Sequence, residues 1–179
     1  NKKAARSITF RQAFYRLITE KGNGQYHHTE LAKSANIDRK NVLFVTMYTF
    51  DVYHDIIDDV SNQLDDILKQ QNDFDFFIFF NELNQVMQAN FKFYQTIAKA
   101  KNLTPISSKI LQIILENGLT HYYLSSNQTT SNKNQNQYIS NGIMGVYINW
   151  LAQPNNISQD ELVHILSDLL ENDIKHLNN

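Results

Sequence analysis

The chain contains no cysteine, and its 179 residues include only five glycines and two prolines. Without cysteine there is no disulfide framework, no thiolate zinc site and no cysteine nucleophile. With breakers so few and so irregularly placed, long segments run uninterrupted, which favours an all-α protein. No apolar run approaches the roughly 18 residues of a membrane span, so no contact with a membrane is expected. Asn1-Lys2-Lys3 has no apolar stretch behind it, so no signal peptide is expected and the location reads as cytoplasmic. The signatures of common catalysts are missing too: no Gly-rich phosphate loop, no HExxH and no GxSxG occurs. His54 and Asp58 stand four apart, the spacing of a metal pair on a helix, but no third ligand accompanies them and they read as an exposed polar pair. No enzyme, metal or cofactor is expected.

What is present is an uneven charge. Residues 1–50 carry nine basic side chains against Glu20, Glu30 and Asp38, a net of +6, whereas residues 51–179 carry seven basic and fifteen acidic ones, a net of −8. A nearly neutral total hides a basic head and an acidic body, and a basic head is suited to a polyanion. Within it, Glu30-Leu31-Ala32-Lys33-Ser34-Ala35-Asn36-Ile37-Asp38-Arg39-Lys40-Asn41-Val42 reads as two short helices joined by a tight turn. Ala35 lets the helices touch, Asn36 tolerates the left-handed backbone of a turn, and Asp38 can cap the second helix. Arg39, Lys40 and Asn41 then fall in its first turn, where such side chains reach base edges and phosphates.

Helix periodicity extends over most of the chain. Phe10, Phe14, Leu17 and Ile18 predict a helix over residues 7–21, stopped by Gly22-Asn23-Gly24. A second helix begins near residues 27–29 and ends by Ala35, and a third begins at Asp38. A separate long helix over residues 51–71 carries Ile56, Ile57, Val60, Leu64, Ile67 and Leu68. Phe76 to Phe80 form a helix apolar nearly all round, which predicts burial. Another element covers residues 91–99, and Thr104-Pro105 starts a helix running to about residue 124. Residues 127–137 form a polar tract that reads as a loop. Ile139, Ile143, Val146 and Trp150 recur at helical spacing beside Gly142 and Gly145. Ser158 with Glu161 then opens a last helix with a wide stripe from Leu162 to Ile174. Two glycines cost about 1 kcal/mol each in a helix, a cost that makes sense if another helix approaches closely there.

These segments resemble the TetR family of bacterial one-component transcription regulators. In the head the likeness rests on Gln12-Ala13-Phe14-Tyr15-Arg16-Leu17-Ile18, Glu20-Lys21-Gly22 and residues 30–39. In the body it rests on Tyr138-Ile139-Ser140-Asn141-Gly142-Ile143-Met144-Gly145-Val146-Tyr147-Ile148-Asn149-Trp150-Leu151 and Ser158-Gln159-Asp160-Glu161-Leu162. The latter resembles a subgroup that includes activators of dihydroxyacetone kinase operons. The resemblance implies an all-helical homodimer with a helix-turn-helix DNA-binding domain at residues 1–50 and a regulatory and dimerisation domain at residues 51–179. Its function would be a repressor of palindromic operators, released by a small-molecule effector. The alternative is a protein-interaction module of coactivator type with weak or lost DNA binding.

The DNA-facing residues expected on this reading are Lys3 and Arg6, His27, His28 and Thr29 at the start of helix 2, and Asp38, Arg39, Lys40, Asn41, Leu43 and Phe44 on helix 3. Phe77, Phe80, Tyr94 and Tyr122 are expected to line a ligand pocket against the long helix. Gly142, Gly145, Trp150, Leu162, Leu166 and Leu169 are expected at the dimer interface. The chain departs from the family pattern at several positions. His27 stands for Thr or Ser, Asn36 for Gly, and Leu43 for an aromatic. The rest of helix 3 matches only with an insertion of about one helical turn, after which Tyr53 replaces a phosphate-gripping Lys.

Overall fold

A computed structural model of the chain describes residues 2–22, 25–36, 42–70, 74–100, 103–125 and 133–177, with the backbone alone at 2–9, 42–51, 104–106, 124–125, 133 and 177. Among them are eight helices and no strand: α1 (Lys2–Lys21), α2 (His28–Ser34), α3 (Val42–Leu68), α4 (Phe76–Gln88), α5 (Phe91–Lys99), α6 (Thr104–Ser125), α7 (Lys133–Ala152) and α8 (Gln159–Leu177). The chain is all-α.

Local chemistry sets several of the ends. Gly22, at φ +65°, follows the last turn of α1, a conformation that costs glycine nothing. Asn36 is the one non-glycine residue among those described with positive φ, at 55°, and it sits in the turn after α2 as its residue type predicts. The Asp75 carboxylate accepts from the Phe77 and Ile78 amides at 2.7 and 3.2 Å and so starts α4. The Ser158 hydroxyl accepts from the Glu161 amide at 3.1 Å and starts α8.

The largest departure from the sequence reading is α3. A third helix and a separate long helix were expected on either side of residue 50, yet one helix of 27 residues runs through, about 40 Å at 1.5 Å per residue. Residues 42–53 contain no Gly, Pro or other breaker, so nothing in the chain ends the helix there. The division at residues 50 and 51 therefore falls inside an element. A second departure lies in the polar tract, whose residues 133–137 are the first turns of α7. They extend a helix already nucleated by the stripe that follows, and Asn136 Oδ1 accepts from the Tyr123 hydroxyl at 3.3 Å.

One apolar core joins residues from Phe10 to Ile174. Helix α1 packs on α3 and α5, and α2 on α1 and α3. Helix α4 lies against α3 and α8, while α7 packs on α5, α6 and α8. Phe14 is where the two ends of the core meet, its ring edge-on to Tyr26, Tyr53 and Phe93 at centroid distances of 5.4, 5.5 and 5.8 Å. The helices of the basic head are thus built onto the body.

Candidate functional site

The candidate nucleic-acid interface is α2, the turn after it and the start of α3. Leu31, Ala32 and Ala35 are buried and turn α2 inward. Glu30 ties its start to α1: its carboxylate accepts the His27 amide at 2.9 Å and Lys21 Nζ at 2.6 and 2.8 Å. Lys21 first, and the His27 amide second, hold the Glu30 carboxyl below the usual carboxylate value. The far end is held from α1 as well, where Arg16 Nη2 donates to Ser34 Oγ at 2.8 Å and to Ser34 O at 3.4 Å. Both ends of α2 are therefore fastened to one helix by charged side chains.

Of the expected DNA-facing residues, His27 and Thr29 are exposed at the start of α2. His28 is half-buried, its Nδ1 buried without a hydrogen-bond partner and its ring 5.9 Å from that of Tyr26; it is turned toward the fold rather than out to a partner. Asp38, Arg39, Lys40 and Asn41 lie outside the described residues, and so do the side chains of Lys3, Arg6, Leu43 and Phe44. Tyr53, at the position of the phosphate-gripping Lys, packs edge-on against Phe14. Its hydroxyl is buried, and burial raises its pKa. A hydroxyl facing the core beneath α1 is closed to a phosphate.

The expected ligand-pocket residues do not converge. Phe77 is 40% exposed and stacks on the His164 ring at 4.8 Å. Phe80 is fully buried against Phe79. Tyr94 is buried against Phe93, and burial raises its pKa. Tyr122 stacks on Phe76 at 4.9 Å. The reason is helical geometry: α4 is apolar nearly all round, but only one side of it meets α3 and α8, and Phe77 lies on the rim of that side. Deeper in the body a void of about 10 Å³ is bounded by Phe76, Phe79, Leu115, Leu119, Ile143 and Leu170. Its one polar lining group is Ser140, whose buried Oγ has no partner. Such a void is near the lower limit for a single water.

The interface residues divide into two groups. Trp150, Leu162 and Leu166 are buried in the chain's own core, and Trp150 Nε1 donates to Ile157 O at 3.1 Å. The stripe of α8 that carries Leu162 and Leu166 is covered by α4 and α7, and Trp150 of α7 lies against Phe91 of α5 at 5.7 Å, so these three residues are closed to a partner. Gly142 and Gly145 are exposed, and a Cβ built on either meets nothing within 4 Å. The close approach inferred from these glycines is therefore not made by any described residue. Leu169 is 42% exposed, Ile165 36% and Tyr138 70%. Tyr138, Asn141, Gly142, Gly145 and Asn149 share the outward face of α7, and no charged residue occurs from 134 to 152.

Several long-range polar contacts had no signal in the sequence, because their partners lie far apart along the chain. Arg11 pairs with Asp59 at 3.5 Å and donates to Asp55 O at 3.3 Å. His121 Nε2 meets Asp65 Oδ1 at 2.9 Å, and Asn117 donates to Ser61 at 3.2 Å, so α3 and α6 share a polar seam. In the core the Tyr147 hydroxyl donates to Asn84 Oδ1 beside Met87 Sδ, and burial raises its pKa. Between α1 and the α4–α5 turn runs an open groove of about 510 Å³, with Arg16 and Lys92 on opposite walls.

No group of three His, Asp or Glu side chains among the described residues could hold a metal ion, and no described helix is long and apolar enough to cross a membrane. No family model, curated protein or solved structure matches the chain.

Proposed function

We propose that the protein is a dimeric DNA-binding transcription regulator of TetR type, a repressor acting on palindromic operator DNA. The observation that carries the reading is the fastened α2. It is a short helix followed by a left-handed Asn36 and set against α1 and α3, in the part of the chain with a net charge of +6. A helix-turn-helix needs a turn of this kind, and a polyanion needs that charge. Dimerisation is supported by the uncharged outward face of α7, with two glycines that no described residue approaches. Two copies meeting there through α7 and the exposed Ile165 and Leu169 of α8 form a four-helix contact about a two-fold axis. The test is a binding titration on DNA duplexes over a range of salt. Affinity falls steeply with salt in the wild type. Lys3→Ala and Arg6→Ala weaken binding to any sequence and flatten the slope, whereas Arg39→Ala relaxes sequence choice. No binding at about 50 mM salt contradicts the proposal.

A second reading draws on Tyr53 and the unbroken α3. Tyr53 packs against Phe14 with its hydroxyl buried, and α3 runs unbroken across residue 50. A protein-interaction module built on the same helices fits these two features better. It predicts recovery of one stoichiometric protein partner without DNA, together with no measurable DNA affinity.

A further inference from the structure

We infer that the groove between α1 and the α4–α5 turn binds a small aromatic carboxylate, and that Arg16 relays its binding to α2. The groove has about 510 Å³, within the roughly 300–1,000 Å³ of small-molecule sites. Its lining includes the half-buried Tyr15 and Phe91, with the buried Phe93 ring behind them 4.5 Å from that of Tyr15, and the two half-buried rings offer a ligand ring apolar contact. Arg16 comes from one wall and Lys92 from the other, and Glu20 is the only acid in the lining. None of the three is in an ion pair among the described residues. Two cations without an ion pair among the described residues, one from each side of a groove that also holds aromatic side chains, favour an anion with a ring, and the planar guanidinium fork fits a carboxylate.

Arg16 also has a second attachment. Both of its hydrogen bonds to described residues leave from Nη2 and end on Ser34, the last residue of α2. No described residue accepts from Nη1 or Nε, which leaves them for a carboxylate in the groove. A ligand there either shares the guanidinium with Ser34 or draws it away, and in both cases it acts on the fastening of α2 just before the Asn36 turn. The relay rests on the DNA-binding reading above; the binding site does not.

The experiment has two arms. Without DNA, the full chain is titrated with benzoate and indole-3-acetate, and with neutral indole-3-acetamide, by calorimetry and amide NMR. Saturable binding of the acids is expected, about tenfold tighter for indole-3-acetate than for its amide, with Arg16→Gln and Lys92→Gln each costing about tenfold. Lys175→Gln, on the far helix α8, leaves the affinity unchanged. No binding of the acids, equal binding of acid and amide, or affinities unmoved by both groove variants overturns the site. In the second arm indole-3-acetate changes wild-type DNA affinity by roughly fivefold or more, and Ser34→Ala removes that change while retaining the ligand. DNA affinity indifferent to bound ligand, or a change that survives Ser34→Ala, overturns the relay. A protein that binds no DNA with or without ligand overturns the functional reading together with the relay, and the first arm decides the site on its own.

Discussion

Glu30 and Ser140 show what single side chains contribute. Glu30 accepts from Lys21 and the His27 amide, and its lowered pKa means that the folded state favours the carboxylate. Its contribution is complete above the ordinary carboxylate value and is lost as pH falls through the lowered one. Glu30→Gln therefore lowers Tm at pH 7, and the gap to wild type closes toward pH 3; a gap independent of pH contradicts the linkage. Ser140 is the opposite case, a buried hydroxyl without a partner on the edge of a small apolar void. Removing an unpaired buried polar group recovers roughly 1 kcal/mol, so Ser140→Ala raises Tm or leaves it unchanged in thermal melts, whereas a hydroxyl with an unseen role makes the variant less stable. Glu30 was legible in sequence only as the start of the helix-turn-helix segment, since its partner Lys21 lies on another helix. The partnerless Ser140 was not, because burial depends on α4, α6 and α8 arriving from elsewhere in the chain.

At the scale of elements, the turn residues were the most legible, because their conformations are set locally. Asn36 was expected to bear the left-handed backbone and does so at φ 55°. Asn36→Val puts a β-branched residue there and costs about 1–2 kcal/mol in a denaturant titration, while Asn36→Gly is tolerated. The starts of α4 and α8 were legible for the same reason. What periodicity could not supply was the join within α3, since a helix that continues and two helices in sequence bear the same apolar stripe. Gly118 is another element-scale feature hidden from sequence. It lies in α6 beneath the Phe79 ring of α4, and an added Cβ would stand 2.7 Å from that ring. Gly118→Ala is expected to lose about 1–3 kcal/mol despite its better helix propensity. An Ala variant more stable than wild type means that Phe79 yields without cost.

At the scale of the whole molecule, helical class follows from composition and charge asymmetry from the order of the residues, whereas the faces left for a partner depend on what the chain covers itself. Trp150, Leu162 and Leu166 carry the right residue types for an interface and yet fill the core, because α4 occupies the stripe of α8 and α5 packs on Trp150 of α7. The surviving candidates are Gly142, Gly145, Ile165 and Leu169. Gly145→Leu and Leu169→Arg are both exposed changes that spare the core, and each is expected to turn a dimer into a monomer in sedimentation at micromolar concentration without altering helicity. A wild type already monomeric there contradicts the interface. Dimer and basic head together make one claim, that two copies read two half-sites. The direct measurement is selection of bound duplexes from a random DNA pool at low salt. Two copies reading two half-sites enrich a roughly palindromic site, with half-sites about one helical turn or a multiple apart. A pool that remains random after repeated selection contradicts it.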